Sequence, residues 1–181
     1  MMRHIWILLM LVAAGCAPLP TVRAPAVSDL SYSLGPGDRL RISTYGEDRL
    51  TGEFTVGVDG MVSFPLLGPI DARDVGVSEF RERLLQRLAG EALRDPRVAV
   101  EVVQYRPVFI LGEVERPGEY AFVPGMTVPA LVAKAGGFTY RANARAVFIT
   151  RGRAASESAY RLESMTGVAP GDTIRISERI L

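Results

Sequence analysis

A short cassette occurs twice in this chain. Leu34-Gly35-Pro36-Gly37-Asp38-Arg39-Leu40-Arg41-Ile42 and Val168-Ala169-Pro170-Gly171-Asp172-Thr173-Ile174-Arg175-Ile176 both read apolar, small, Pro-Gly-Asp, any residue, apolar, Arg, Ile. Proline presets φ for the first corner of a turn, glycine takes the corner at positive φ, and aspartate hydrogen-bonds the nearby backbone. The alternation of Leu40 with Ile42, and of Ile174 with Ile176, then starts a strand with one buried face. Pro36, Gly37, Asp38, Pro170, Gly171 and Asp172 are therefore expected as structural turn residues. A turn that launches a strand near both ends of a 181-residue chain points to two related β-rich modules.

The N-terminus has to be set aside before any fold is read. Arg3 supplies a minimal positive region, and Ile5 to Ala14 runs apolar without a charge, too short for a permanent membrane helix. The run ends in Val12-Ala13-Ala14-Gly15-Cys16, which resembles a bacterial lipobox, although Ala13 stands where leucine is usual. The resemblance implies a lipoprotein signal peptide over residues 1–15 and lipid attachment at Cys16, with palmitate-type acyl chains. Ala17, in a place where aspartate would differ in meaning, resembles the outer-membrane destination. The alternative is an ordinary secretory signal with an incidental cysteine. Cys16 is the only cysteine, so the chain has no intrachain disulfide, and acylation accounts for an otherwise unpaired thiol.

Removing that segment also removes His4, the only histidine. Ser-His-Asp and Cys-His nucleophilic machinery and the commonest zinc ligands leave with it, so no catalytic residue, metal or cofactor is expected. Loss of Arg3 brings Lys+Arg from 21 to parity with the 20 Asp+Glu, which leaves no basic excess to drive nucleic-acid binding.

Residues 16–31, with Pro18, Pro20 and Pro25, read as an extended tether, with order beginning at Tyr32. A first module over 32–105 contains a strand from Arg39 to Tyr45 and a hairpin of Phe54–Val58 and Met61–Pro65 about Asp59-Gly60. Ser78 is expected to cap a helix from Glu79 to about Leu93 with an apolar stripe of Phe80, Leu84, Leu85 and Leu88. Asp95-Pro96 stops it before a β-branched strand from Val98 to Tyr105. A second module over 106–181 opens with a strand at Pro107–Val114 and a turn with Pro117 and Gly118 at its corners. A strand over Tyr120–Val123 and a short helix over Pro129–Ala135 follow, the helix opened by Thr127 and closed by Gly136 and Gly137. Strands at Ala146–Thr150, Ala159–Leu162 and Thr173–Ser177 complete a β-grasp pattern. The fold class is α+β: a small β/α domain followed by a β-grasp domain.

With these residues in view, the chain resembles the bacterial polysaccharide biosynthesis/export family, the outer-membrane polysaccharide export lipoproteins. Tyr32-x-Leu34-Gly35-Pro36-Gly37-Asp38, Val58-Asp59-Gly60, Phe64-Pro65-Leu66-Leu67-Gly68 and Asp95-Pro96-Arg97-Val98 look like the opening and body of its export domain. Gly112-Glu113-Val114, Arg116-Pro117-Gly118 and Ala135-Gly136-Gly137-Phe138 look like its soluble-ligand-binding β-grasp (SLBB) repeat. The resemblance implies a non-enzymatic component of capsule or exopolysaccharide export, lipid-anchored in the outer membrane and facing the periplasm. It also implies a homo-oligomeric ring, an outer-membrane β-barrel partner, an inner-membrane polysaccharide co-polymerase, and polysaccharide as cargo. Larger members end in a membrane-crossing helix. Only Glu178 to Leu181 follow Ser177 here, so a collar beneath a separate barrel is expected.

Two other classes are weighed against this. A periplasmic binding lipoprotein would hold a small ligand or an envelope protein in its β-grasp module, since fold does not fix function. A glycan hydrolase would need two carboxylates across a cleft, and only Asp38 with Asp172 suggests itself. The Arg81, Arg83 and Arg87 face and the aromatics Tyr105, Phe138 and Tyr140 are candidates for glycan or subunit contact, with solvation and core packing as the default roles.

Overall fold

The computed structural model describes residues 22–152 and 154–179; the signal peptide with His4, the lipidation candidate Cys16, and the last two residues lie outside the described residues. The described residues open with β1 (Val22–Arg23) and a short turn at Val27–Asp29, then enter β2 (Arg39–Thr44), β3 (Gly52–Thr55), β4 (Met61–Phe64) and β5 (Gly68–Asp71). Helix α1 (Val77–Glu91) and β6 (Val98–Gln104) close the first module. The second comprises β7 (Val108–Gly112), β8 (Gly118–Tyr120), α2 (Val128–Lys134), β9 (Ala146–Thr150), β10 (Ser158–Arg161) and β11 (Thr173–Ile176).

In the first module β2 is the centre of an antiparallel sheet in the order β3-β2-β6, beside a β4-β5 hairpin. The pleat sends Leu40, Ile42 and Thr44 inward and Arg39, Arg41 and Ser43 outward, as the period of two requires. Helix α1 closes the core with Phe80, Leu84 and Leu88, all fully buried, and each such side chain contributes roughly 1.5–3 kcal/mol of apolar burial. Leu85, expected in that stripe, is half-buried. The cap is Gly76 instead of Ser78: the first helical bond runs from Phe80 N–H to Gly76 O at 3.0 Å. The start is pulled back because Val75 is buried and its carbonyl accepts the Leu34 N–H at 2.8 Å.

The Asp59-Gly60 corner also departs from expectation. The turn forms, with Gly57 N–H on Met61 O at 2.8 Å, but β3 pairs with β2 while β4 pairs with β5. Asp59 Oδ1 accepts the Met61 N–H, and Ala72 N–H bonds Gly60 O, tying the corner to the end of β5. The two strands thus diverge into different sheets.

The second module is a six-stranded mixed sheet, β1-β10-β9-β11-β7-β8, with β11 parallel to β7. Val108, Ile110, Val147, Ile149, Ile174 and Ile176 share one core with Val128, Leu131 and Val132 of α2. Thr127 caps α2 by accepting the Ala130 N–H, with Pro129 in the first turn. This is the α+β class expected from the pattern.

Residues 22–30 are not a free tether. Val22 and Arg23 pair in parallel with Tyr160 and Arg161, Ala26 bridges Thr166, and Gly167 N–H bonds Pro25 O. The described residues therefore begin on the second module, build the first, and return.

Candidate functional site

The repeated turns share one backbone design. Gly37 has φ +92° and Gly171 +81°, the left-handed corner that a side chain strains. Each aspartate N–H bonds the carbonyl three residues back, Gly35 or Ala169, at 3.1 Å. Each aspartate Oδ2 in turn accepts that residue's N–H at 2.8 Å. The geometry turns both carboxylates inward, Asp38 being 0% and Asp172 1% exposed. A buried carboxylate needs a cation and hydrogen bonds to stay charged, and each has its own arginine.

Asp38 is met by Arg106, whose Nη1 donates to Oδ2 at 2.7 Å and whose backbone N–H donates to Oδ1 at 2.8 Å. The Tyr32 hydroxyl donates to Oδ2 at 2.7 Å. Burial first, and that hydrogen bond second, hold the Tyr32 phenol well above its ordinary pKa. Asp172 pairs with Arg151 Nη1, and Arg151 Nη2 donates to Gly167 O. Among the described residues Asp172 Oδ1 has no hydrogen-bond partner. Burial pushes the Asp172 carboxyl pKa up, outweighing the Ala169 N–H, the charge and hydrogen bond of Arg151 and the nearby Gly152 N–H.

Arg106 belongs to the crossing Tyr105-Arg106-Pro107 between modules, and it serves both turns. Its Nε donates to Pro170 O at 3.1 Å, and Nη1 also reaches Ser33 O at 3.3 Å. A Cβ on Gly35 would lie 2.7 Å from Arg106 Nη1, and one on Gly171 2.8 Å from Nε. Neither turn has room for a side chain where the guanidinium passes. Tyr105 adds an apolar clasp, packing edge-on against Tyr32 and Phe122 with ring centroids 5.1 and 5.4 Å away.

Two clefts flank this junction. One, of about 200 Å³, is lined by Leu30, Tyr32, Tyr105, Phe122 and Val168 and is mainly apolar. The other, of about 440 Å³, is lined by Ser33, Gly35, Gly60, Arg73, Asp74 and Arg106 and is mixed in character.

The remaining turn residues stay local to the second module. Gly136 and Gly137, at φ +91° and +102°, end α2, and the bend before Pro117 and Gly118 packs on them. Glu115 N–H bonds Gly137 O and Arg116 N–H bonds Ala135 O. Of the surface candidates, Arg83 and Arg87 are occupied internally: Arg83 donates to Asp71 O and Arg87 to Leu67 O, fastening α1 to the β4-β5 hairpin. Phe138 packs against the second core and Tyr140 is exposed. Among the described residues no group of three or more His, Cys, Asp and Glu is placed to hold a metal. As a hydrolytic pair Asp38 and Asp172 fit poorly, each being buried, engaged by an arginine, and outside both clefts.

Arg106, Arg151 and Arg73 escaped the sequence reading. Arg106 had one available signal: it is the only charge between Glu101 and Glu113. A single arginine inside an apolar stretch needs a buried counter-charge.

The family model described as polysaccharide biosynthesis/export protein matches residues 26–103, and that of the SLBB domain matches residues 107–169. A curated relative, the exopolysaccharide production protein ExoF of Rhizobium meliloti (strain 1021), is 39% identical over 120 residues. The match takes in 59% of this chain and 28% of the relative, so the chain spans well under a third of that protein's length.

Proposed function

Because the chain belongs to the polysaccharide biosynthesis/export family, with an export domain followed by one SLBB domain, we propose that it is a non-enzymatic component of a capsule or exopolysaccharide export apparatus. It is anchored through lipid on Cys16 to the outer membrane, faces the periplasm, and assembles into a homo-oligomeric ring. The modules, over 32–105 and 106–181, act as one collar that passes polymer from an inner-membrane co-polymerase to a β-barrel partner. The observation that carries this reading is the fastening of export domain to SLBB domain through Arg106, which bonds a turn in each. Such a joint suits a rigid ring segment better than two modules on a flexible linker. Among the described residues no helix is long and apolar enough to cross a membrane, which suits a collar working with a separate pore.

The test is deletion of the gene, alone and complemented with Cys16→Ser. Polymer should be retained inside the cell in the deletion strain, and the purified lipoprotein should form closed rings by native mass spectrometry. Normal secretion without the gene, or robust conductance in bilayers from the purified lipoprotein alone, overturns the collar.

A second reading is a ligand-binding lipoprotein, favoured by the apolar cleft about Tyr32, Tyr105 and Phe122. It requires a monomer whose stability rises with an apolar ligand.

A further inference from the structure

The mixed cleft beside the clasp, at about 440 Å³, falls within the ~300–1,000 Å³ of small-molecule sites. Two arginines line it, and each is held by its own carboxylate. Arg73 Nε and Nη2 donate to Asp71 Oδ1 and Oδ2 at 3.0 and 2.7 Å. Arg106 spends Nε on Pro170 and Nη1 on Asp38 and Ser33. Among the described residues nothing accepts from Arg73 Nη1 or Arg106 Nη2. Each guanidinium is thus aimed by its anchoring bonds and keeps one NH₂ group in reserve.

The seats of these arginines are glycines. A Cβ on Gly60 would fall 2.1 Å from Arg73 Cγ, as one on Gly35 would fall 2.7 Å from Arg106 Nη1. The Asp59-Gly60 corner therefore does more than reverse the chain: it leaves the space in which Arg73 lies. Next to Arg73, Asp74 holds φ +56°, a left-handed conformation uncommon for a residue with a side chain. Its carboxylate is exposed and makes no hydrogen bond among the described residues, although it lines the same cleft.

Among the described residues the cleft thus sets two anchored guanidinium NH₂ groups and one exposed carboxylate, with Ser33 also in its lining, on a wall partly stripped of side chains. Each arginine is already balanced by its own carboxylate, so an anion would meet the further charge of Asp74, and a bare cation would leave both free NH₂ groups without an acceptor. Adjacent sugar hydroxyls, each able to donate and accept, satisfy all three. We propose that this cleft binds a neutral, hydroxyl-rich pyranose segment of the polymer, with Arg73 and Arg106 donating to its oxygens and Asp74 accepting from neighbouring hydroxyls. The identity of the sugar rests on the export reading above; its place rests on the cleft.

The experiment titrates the full, detergent-purified lipoprotein with neutral oligosaccharides released by partial acid hydrolysis of the cell's own secreted polymer. Hexagalacturonate serves as the anionic probe. Amide and arginine Nε–H resonances of Gly60, Asp74 and Arg106 should shift with the neutral oligosaccharide. Arg73→Gln and Asp74→Asn, both at exposed positions outside the cores, should each weaken binding at least about fivefold with an unchanged melting temperature. Arg106 is left intact because its loss would also open the joint. Absence of shifts at about 10 mM, where a millimolar site is occupied, overturns the assignment, as does tighter binding of hexagalacturonate or unchanged affinity in both variants. Secretion separates this from the export reading. If deletion of the gene blocks secretion while the cleft stays silent, the cleft assignment alone falls. If deletion leaves secretion normal, the export reading falls whatever the cleft binds.

Discussion

Two turns with the same Pro-Gly-Asp sequence and the same internal hydrogen bonds have come to different ends. The first has both aspartate oxygens satisfied, by Tyr32, Gly35 and two groups of Arg106. The second has Oδ2 held by Ala169 and Arg151, and Oδ1 without a hydrogen bond among the described residues. The difference lies in where the arginine comes from. Arg106 reaches Asp38 across 68 positions of sequence and stands at the crossing between modules, whereas Arg151 reaches Asp172 across 21, from within the second module. One turn has become a joint between modules; the other remains a local corner whose carboxylate sits at a cost.

The largest expected effect breaks the joint. Asp38→Ala strands the Arg106 guanidinium, the Arg106 N–H and the Tyr32 hydroxyl together, and removing one partner of a buried pair costs about 3–5 kcal/mol. Urea unfolding of the Cys16→Ser chain should show that loss. A midpoint close to the parent's would mean the clasp contributes little.

The next comparison sets the two glycines against each other. Gly37→Ala meets mainly backbone strain, about 1 kcal/mol, because its Cβ would lie 3.7 Å from Arg106 Cβ. Gly171→Ala adds a collision, 2.8 Å from Arg106 Nε, and should cost roughly 2–3 kcal/mol. Equal losses would show that Arg106 does not bind the second turn tightly.

The smallest effect, and the sharpest, is on pH. The folded state holds the Asp172 proton more tightly than the unfolded chain does, since burial raises its pKa. Its contribution is then complete below the ordinary carboxyl value near 4 and is lost as pH rises through the folded value. Asp172→Asn keeps an acceptor for Ala169 and should cost only about 1 kcal/mol at acidic pH. Its deficit against the parent should shrink as pH rises from 4 toward 7; a deficit that grows over that window would reverse the sign assigned to burial.

What the sequence made legible was whatever depends on neighbours along the chain. Pro36-Gly37-Asp38 and Pro170-Gly171-Asp172 specify their turns locally, and Thr127, Pro129 and Gly136 bracket α2 by capping chemistry alone. The alternation in Arg39–Thr44 states which face is buried. Contacts at long range were not legible. Asp59-Gly60 carries the signal of a hairpin, but whether its flanking strands pair is settled by β2 and β5, which compete for them. Ser78 is the better capping residue, yet burial of Val75 moves the helix start to Gly76. Val22 to Leu30 shows no strand or helix periodicity, so nothing local reveals that its first residues pair with β10 and the next dock on Thr166 and Gly167. Of the candidate site, the two turns were visible as turns; the arginines that make them a junction were not.

The docked N-terminal strap has a mechanical consequence. If acyl chains on Cys16 hold the protein to a bilayer, any tension on that anchor reaches β1 first. There it loads the parallel pairing with β10 and the bonds from Pro25 and Ala26 to Gly167 and Thr166. The strap behaves as a strain relief: the second module takes the pull, and the first, farther along the chain, is shielded until that short seam peels away.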